Sequence, residues 1–192
     1  MSPSPARLCV FGALIMLSGC GGSEPWEKEP QSGLWQQRYT EGSQAGANMV
    51  ICYAPDQKIT LFHDSQPATM ENGATCDDAE RTATDSGWVS KQTCTLNGTK
   101  AVLQYTANGN AETGVSAHFT VSSEQGAQLQ PAQSMEIKRV GDCPSGWKPS
   151  DYMRIDTQEA GEWRLVHPGD KGAPDTFTVL PTLPPGIEAL RH

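Results

Sequence analysis

Four cysteines carry the clearest chemistry in this 192-residue chain: Cys52, Cys76, Cys94 and Cys143. Cys9 lies inside an apolar N-terminal run, and Cys20 stands three residues beyond its end. An even four in a chain bound for an oxidising compartment predicts two disulfides, with three ways to connect them. The stretch "CDDAERTATDSGWVSKQTC" carries turn chemistry at Asp85-Ser86-Gly87. Reflection about residue 85 sets Cys76 opposite Cys94 in a hairpin, which leaves Cys52 for Cys143. A four-cysteine zinc site would need close ligand pairs, and no Cys-x-x-Cys occurs.

Other reactive side chains do not converge in sequence. His63, His118, His167 and His192 show no ligand spacing and read as solvated surface. Met49, Met70, Met135 and Met153 offer soft thioethers for Cu(I), but they fall on separate elements and read as core. No serine sits in a G-x-S-x-G elbow, and no phosphate-cradling glycine loop follows a strand. Asp77-Asp78 and Glu27-Lys28-Glu29 read as exposed loop charge. The sequence therefore predicts no catalytic residue, metal or cofactor. Trp35, Trp88, Trp147 and Trp163 most often fill a core in a small sheet. For Trp147 and Trp163 an interaction surface for an envelope protein or a glycan is the alternative.

Cys20 reads as a point of attachment. Residues 8–17, "LCVFGALIML", follow the single basic Arg7. As a helix they would reach roughly 15 Å, half of a bilayer core. That is the length of a signal-peptide hydrophobic region rather than a span. Leu17-Ser18-Gly19-Cys20 resembles the bacterial lipobox. The resemblance implies cleavage before Cys20 and lipidation of its thiol. Two or three acyl chains hold a protein stably where one does not. Gly21 follows, not an Asp, which in enterobacteria-like sorting implies the outer membrane, facing the periplasm. The expected organisation is a signal peptide at 1–19, a flexible tether at 20–32, a β domain at 33–143 and an extension at 144–192.

Charge narrows the partners. The formal net charge is −8, and removing residues 1–19 takes away Arg7 alone. An acidic chain without a basic stripe repels nucleic acid. After the anchor no second long apolar run follows.

The elements read as mainly β. "GLWQQRY" and "NMVICYA" are aromatic and β-branched runs bounded by loop residues. Pro55-Asp56 suits the start of one short helix. "GVSAHFTV" alternates cleanly, with Val115, Ala117, Phe119 and Val121 on one face. "SMEIKRVGDC" alternates too. Short strands with turns between them predict an antiparallel meander, a curved sheet or open barrel, stapled by the disulfides. In the extension, Tyr152 to Leu180 predicts a small β unit docked on the core. Residues 181–192, rich in proline, predict a mobile tail.

Residues 33–143 resemble the DUF3617 family of bacterial envelope proteins. The marks are Gly33-Leu34-Trp35, Cys52 before Pro55-Asp56, Cys76, "WVSKQTC", and Lys138-Arg139-Val140-Gly141-Asp142-Cys143. The resemblance implies a β-rich, disulfide-stapled envelope domain and transfers no catalytic residue. The function expected is a non-enzymatic binding or interaction module on a lipid anchor. The alternative is a carrier of a small apolar ligand in a sheet cavity. An enclosed apolar cavity would favour the carrier. A convergent His, carboxylate and nucleophile cluster would favour an enzyme.

The anchor is directly testable. Cys20→Ala should abolish palmitate labelling and release the protein from membranes; a labelled, membrane-bound variant would refute the lipid anchor.

Overall fold

The computed structural model describes residues 24–26, 28–55, 75–96, 98–169 and 173–191. Cys20 and the helix expected after Pro55 lie outside the described residues. Eleven strands form one open antiparallel sheet. They are β1 Gly33–Glu41, β2 Asn48–Tyr53, β3 Thr75–Cys76, β4 Glu80–Thr84, β5 Gly87–Leu96, β6 Thr99–Asn110, β7 Gly114–Ser123, β8 Gln133–Gly141, β9 Tyr152–Arg154, β10 Trp163–His167 and β11 Thr176–Leu180. The order across the sheet is β11-β10-β9-β2-β1-β8-β7-β6-β5-β3, with β4 also on β5. The fold is thus mainly antiparallel β, as the alternation predicts. Among the described residues the helical content is one 3-10 turn, Glu188–Leu190.

Strands β5 to β8 form the expected meander. Its last strand does not end the sheet. It pairs with β1 through contacts such as Gln37 to Ile137, so the N-terminal hairpin is built into the middle. The entry to β1 depends on a close backbone approach. Gly33 has φ +134°, and a Cβ there would lie 2.4 Å from the Gly141 carbonyl oxygen. Only glycine takes that conformation and that proximity at low cost.

Both disulfides join the pairs that symmetry and elimination give. Cys76 faces Cys94 across β3 and β5, and Cys52 on β2 joins Cys143 beyond β8. The hairpin turn itself is Asp85-Ser86, with Thr84 opposite Gly87. Continuing that register would place residue 77, not 76, opposite Cys94. One extra residue between Cys76 and Glu80 absorbs the difference and brings the cysteines together.

Each face of the sheet carries its own core. On one face Trp35, Ile51, Ile137, Val115, Ala117, Ala107 and Trp88 line up through successive registers. Leu103, Val121 and Cys94 extend this layer at the meander end. On the other face of β1 and β2, Leu34 and Val50 pack with Met153, Ile155, Trp163, Leu165 and Ile187. Alternation along β1 and β2 therefore buries both Leu34 and Trp35, and both Val50 and Ile51.

The extension bears on three expectations. Its three strands dock on the core by strand pairing: β9 pairs with β2, so β9 to β11 continue the same sheet. Residues 181–191 do not form a loose tail. They fold back over the second core, where Ile187 is 1% exposed. The Leu190 carbonyl accepts hydrogen bonds from the buried amides of Gln36 and Asn48, each at 2.8 Å. Nor do the two extension tryptophans form a surface. Trp163 is buried in the second core with Arg191 over its ring, and half-buried Trp147 packs against the same cluster.

Candidate functional site

The features of β9 to β11 that could do chemistry or bind lie on two opposite faces of the same strands. Register sets the faces. Val166 opposes both Tyr152 and Phe177, and Arg164 opposes Val179. These side chains share the face of Ile51, because Tyr152 opposes Ile51. Leu165 opposes Thr178, and with His167 they share the other face.

On the Tyr152 face a cleft of about 330 Å³ opens, lined by Tyr152, Arg154, Arg164, Val166, Phe177 and acidic groups at its rim. Three large apolar side chains are exposed among the described residues, and two of them, Phe177 and Val179, sit here. Phe177 is 56% exposed. The Arg164 guanidinium lies 4.8 Å from its ring centroid and pairs with Glu159. Arg164 Nε is buried with no hydrogen-bond partner. Burial pushes the Tyr152 hydroxyl above its ordinary pKa, and the Asp175 carboxylate pushes it further, so it stays a neutral phenol. At the inner end of this face burial opposes ionisation of Asp156. Hydrogen bonds from Arg154 and from the Asn48 backbone N–H prevail and hold the carboxyl below its usual range.

On the opposite face Asp151, His167 and Thr178 form a connected line. Asp151 is 1% exposed, and its Oδ1 lies 2.8 Å from His167 Nδ1. In the tautomer whose Nδ1 donates to the Asp151 carboxylate, Nε2 accepts from the Thr178 hydroxyl 2.9 Å away. The other Asp151 oxygen accepts the Lys148 backbone N–H. Carboxylate, imidazole and hydroxyl thus stand in the order that activates a nucleophile. The line also ties the loop before β9 to β10 and to the edge strand β11. The Cys52 N–H donates to the Asp151 carbonyl and Ser150 N–H to the Cys52 carbonyl, so the same loop is clamped to β2 beside the disulfide.

Sequence reasoning missed this line because its members are separated by loops and strands; His167 gave no spacing signal. The remaining candidates do not converge. His118 Nδ1 contacts Ser134 Oγ, which donates to Glu41, all on an exposed surface. Met153 is core, Met135 packs against the first core, and Asp77-Asp78 is exposed. His63, Met70 and His192 lie outside the described residues. Among the described residues no group of three or more His, Cys, Asp or Glu is placed to hold a metal. No helix among them is long and apolar enough to cross a membrane.

No family model, curated protein or solved structure matches the chain. The resemblance to DUF3617 rests on the quoted residues alone.

The Asp151 line has a measurable structural role. Asp151→Ala leaves the Lys148 N–H and the His167 Nδ1–H without their acceptor. It should lower stability in urea by about 2–3 kcal/mol. A loss below ~0.5 kcal/mol would show that the line does not hold the strands together.

Proposed function

We propose that this protein is a bacterial envelope lipoprotein, anchored through Cys20, whose domain is a non-enzymatic interaction module of the DUF3617 kind. The working surface is the outer end of the sheet, where β10 and β11 expose Phe177 and Val179 beside Arg164. The observation that carries this reading is the position of the exposed apolar side chains. Among the described residues no other strand exposes a large apolar side chain. Here a row that begins in the core, Ile51, Tyr152, Val166 and Phe177, runs out to the sheet edge without ending in polar residues. Exposed aromatic and arginine side chains together are the composition of a binding surface.

The hydroxyl line does not displace this reading. Its Thr178 hydroxyl points to the face opposite the cleft, so a molecule in the cleft cannot meet it. The line positions β11 instead. The cleft is open and carries charged rims, which suits a partner's surface better than an enclosed ligand.

A photo-crosslinking amino acid in place of Phe177, in the full chain in cells, should give covalent adducts. The same residue in place of Thr82 on the opposite edge should give none. No adduct from position 177, in a chain that is membrane-bound and folded, would overturn the surface.

A further inference from the structure

Among the described residues strand β11 is an open edge, and its five residues, Thr-Phe-Thr-Val-Leu, carry no charge. Such an edge is a template for another strand. The opposite edge is protected: β4 exposes Glu80 and Arg81, and β3 is only two residues long. Proline limits what can pair with β11. Pro174 precedes it by two residues and Pro181 follows it at once.

Building on the interaction surface above, we infer that the partner of β11 is the β11 of a second copy. The two strands run antiparallel about a two-fold axis at Thr178. Three constraints select this arrangement. Antiparallel partners that oppose each other directly share a sheet face, so the pairing must keep Phe177 and Val179 with apolar groups. With Thr178 opposite the second copy's Thr178, Phe177 of each chain faces Val179 of the other. The apolar row then continues without a break: Ile51, Tyr152, Val166 and Phe177 of one copy lead into Val179 of the next. Moving the axis to Phe177 places Asp175 opposite Val179. Moving it to Val179 places Pro181 opposite Phe177. Half-residue shifts set the Phe177 face against the Thr178 face. The Thr178 register alone pairs all five residues with uncharged, non-proline partners.

The other face fits as well. Thr178 meets Thr178 on the axis, a favourable cross-strand pair, and His167 orients each hydroxyl. The arrangement is isologous and closes on itself, so the edge is consumed without growth into fibres. A five-residue strand pair makes a small interface, in the weak class below about 1,200 Å². Two copies tethered to one membrane meet at high effective concentration, which compensates for that weakness.

Cysteine crosslinking in cells expressing the full chain tests both partner and register. Thr178→Cys should give a disulfide-linked dimer on a non-reducing gel, because opposed residues lie within disulfide reach. Thr176→Cys should stay monomeric, since its copies would sit roughly 13 Å apart along the strands. Co-expressed Phe177→Cys and Val179→Cys chains should also crosslink, and that pair leaves the His167 bond to Thr178 intact. Equal crosslinking at 176 and 178, or none in either the Thr178 or the mixed experiment, overturns the dimer. If position 177 photo-crosslinks only to some other envelope component, the dimer falls and the interaction surface stands. If it crosslinks to nothing, both fall.

Discussion

The fold depends on burying β1 and β2 on both faces. In most antiparallel sheets one face meets a core and the other meets water, which gives clean polar alternation. Here adjacent residues are buried on opposite sides: Leu34 against Trp35, and Val50 against Ile51. A hairpin with that pattern cannot be stable with one layer of cover. The first core supplies one layer and the extension supplies the second, through Met153, Ile155, Trp163 and Ile187. Each fully buried large apolar side chain contributes about 1.5–3 kcal/mol relative to exposure. The second layer is therefore a requirement of the central hairpin rather than an ornament on a finished domain.

This constraint explains the disposition of the polar groups. Gln36 and Asn48 are buried where the returning chain covers them, and a buried amide without a partner is costly. The Leu190 carbonyl satisfies both. The Cys52–Cys143 bond fixes the point where the chain turns back toward β2. The Asp151 carboxylate then sets the loop that delivers β9 to its place and orients His167 toward the edge strand. The buried amides, the disulfide and the Asp151 carboxylate thus hold the extension to the central hairpin, and Phe177 and Val179 stay exposed at the outer end of the sheet.

Much of the sheet was legible because short-range alternation specifies strands. Val115 to Val121 and Met135 to Ile137 show period two, and the structure puts those residues on one face. The Cys76 and Cys94 hairpin followed from turn chemistry, although the residue count between Cys76 and Glu80 was not visible in it. What escaped were the contacts that only topology creates. Nothing in β8 announces β1 as its neighbour. Residues 181–191 look unstructured because Pro-rich segments lack periodicity, yet Ile187 is placed by the cavity above Leu34 and Val50. Trp163 and Trp147 read first as core, with a surface as the alternative, and the second layer decides between them. The Asp151, His167 and Thr178 line joins three elements and leaves no local trace.

The central claim is that the extension is one cooperative unit with the central hairpin. Native-state hydrogen exchange tests it most directly, through the amide of Ile155, which donates to the Asn48 carbonyl. The account predicts that this amide and those of Met153 and Leu165 exchange through the same global opening as Trp35 and Val50, with equal free energy and equal denaturant dependence. Exchange of the extension several kcal/mol more easily than the hairpin, with a smaller denaturant dependence, would contradict it.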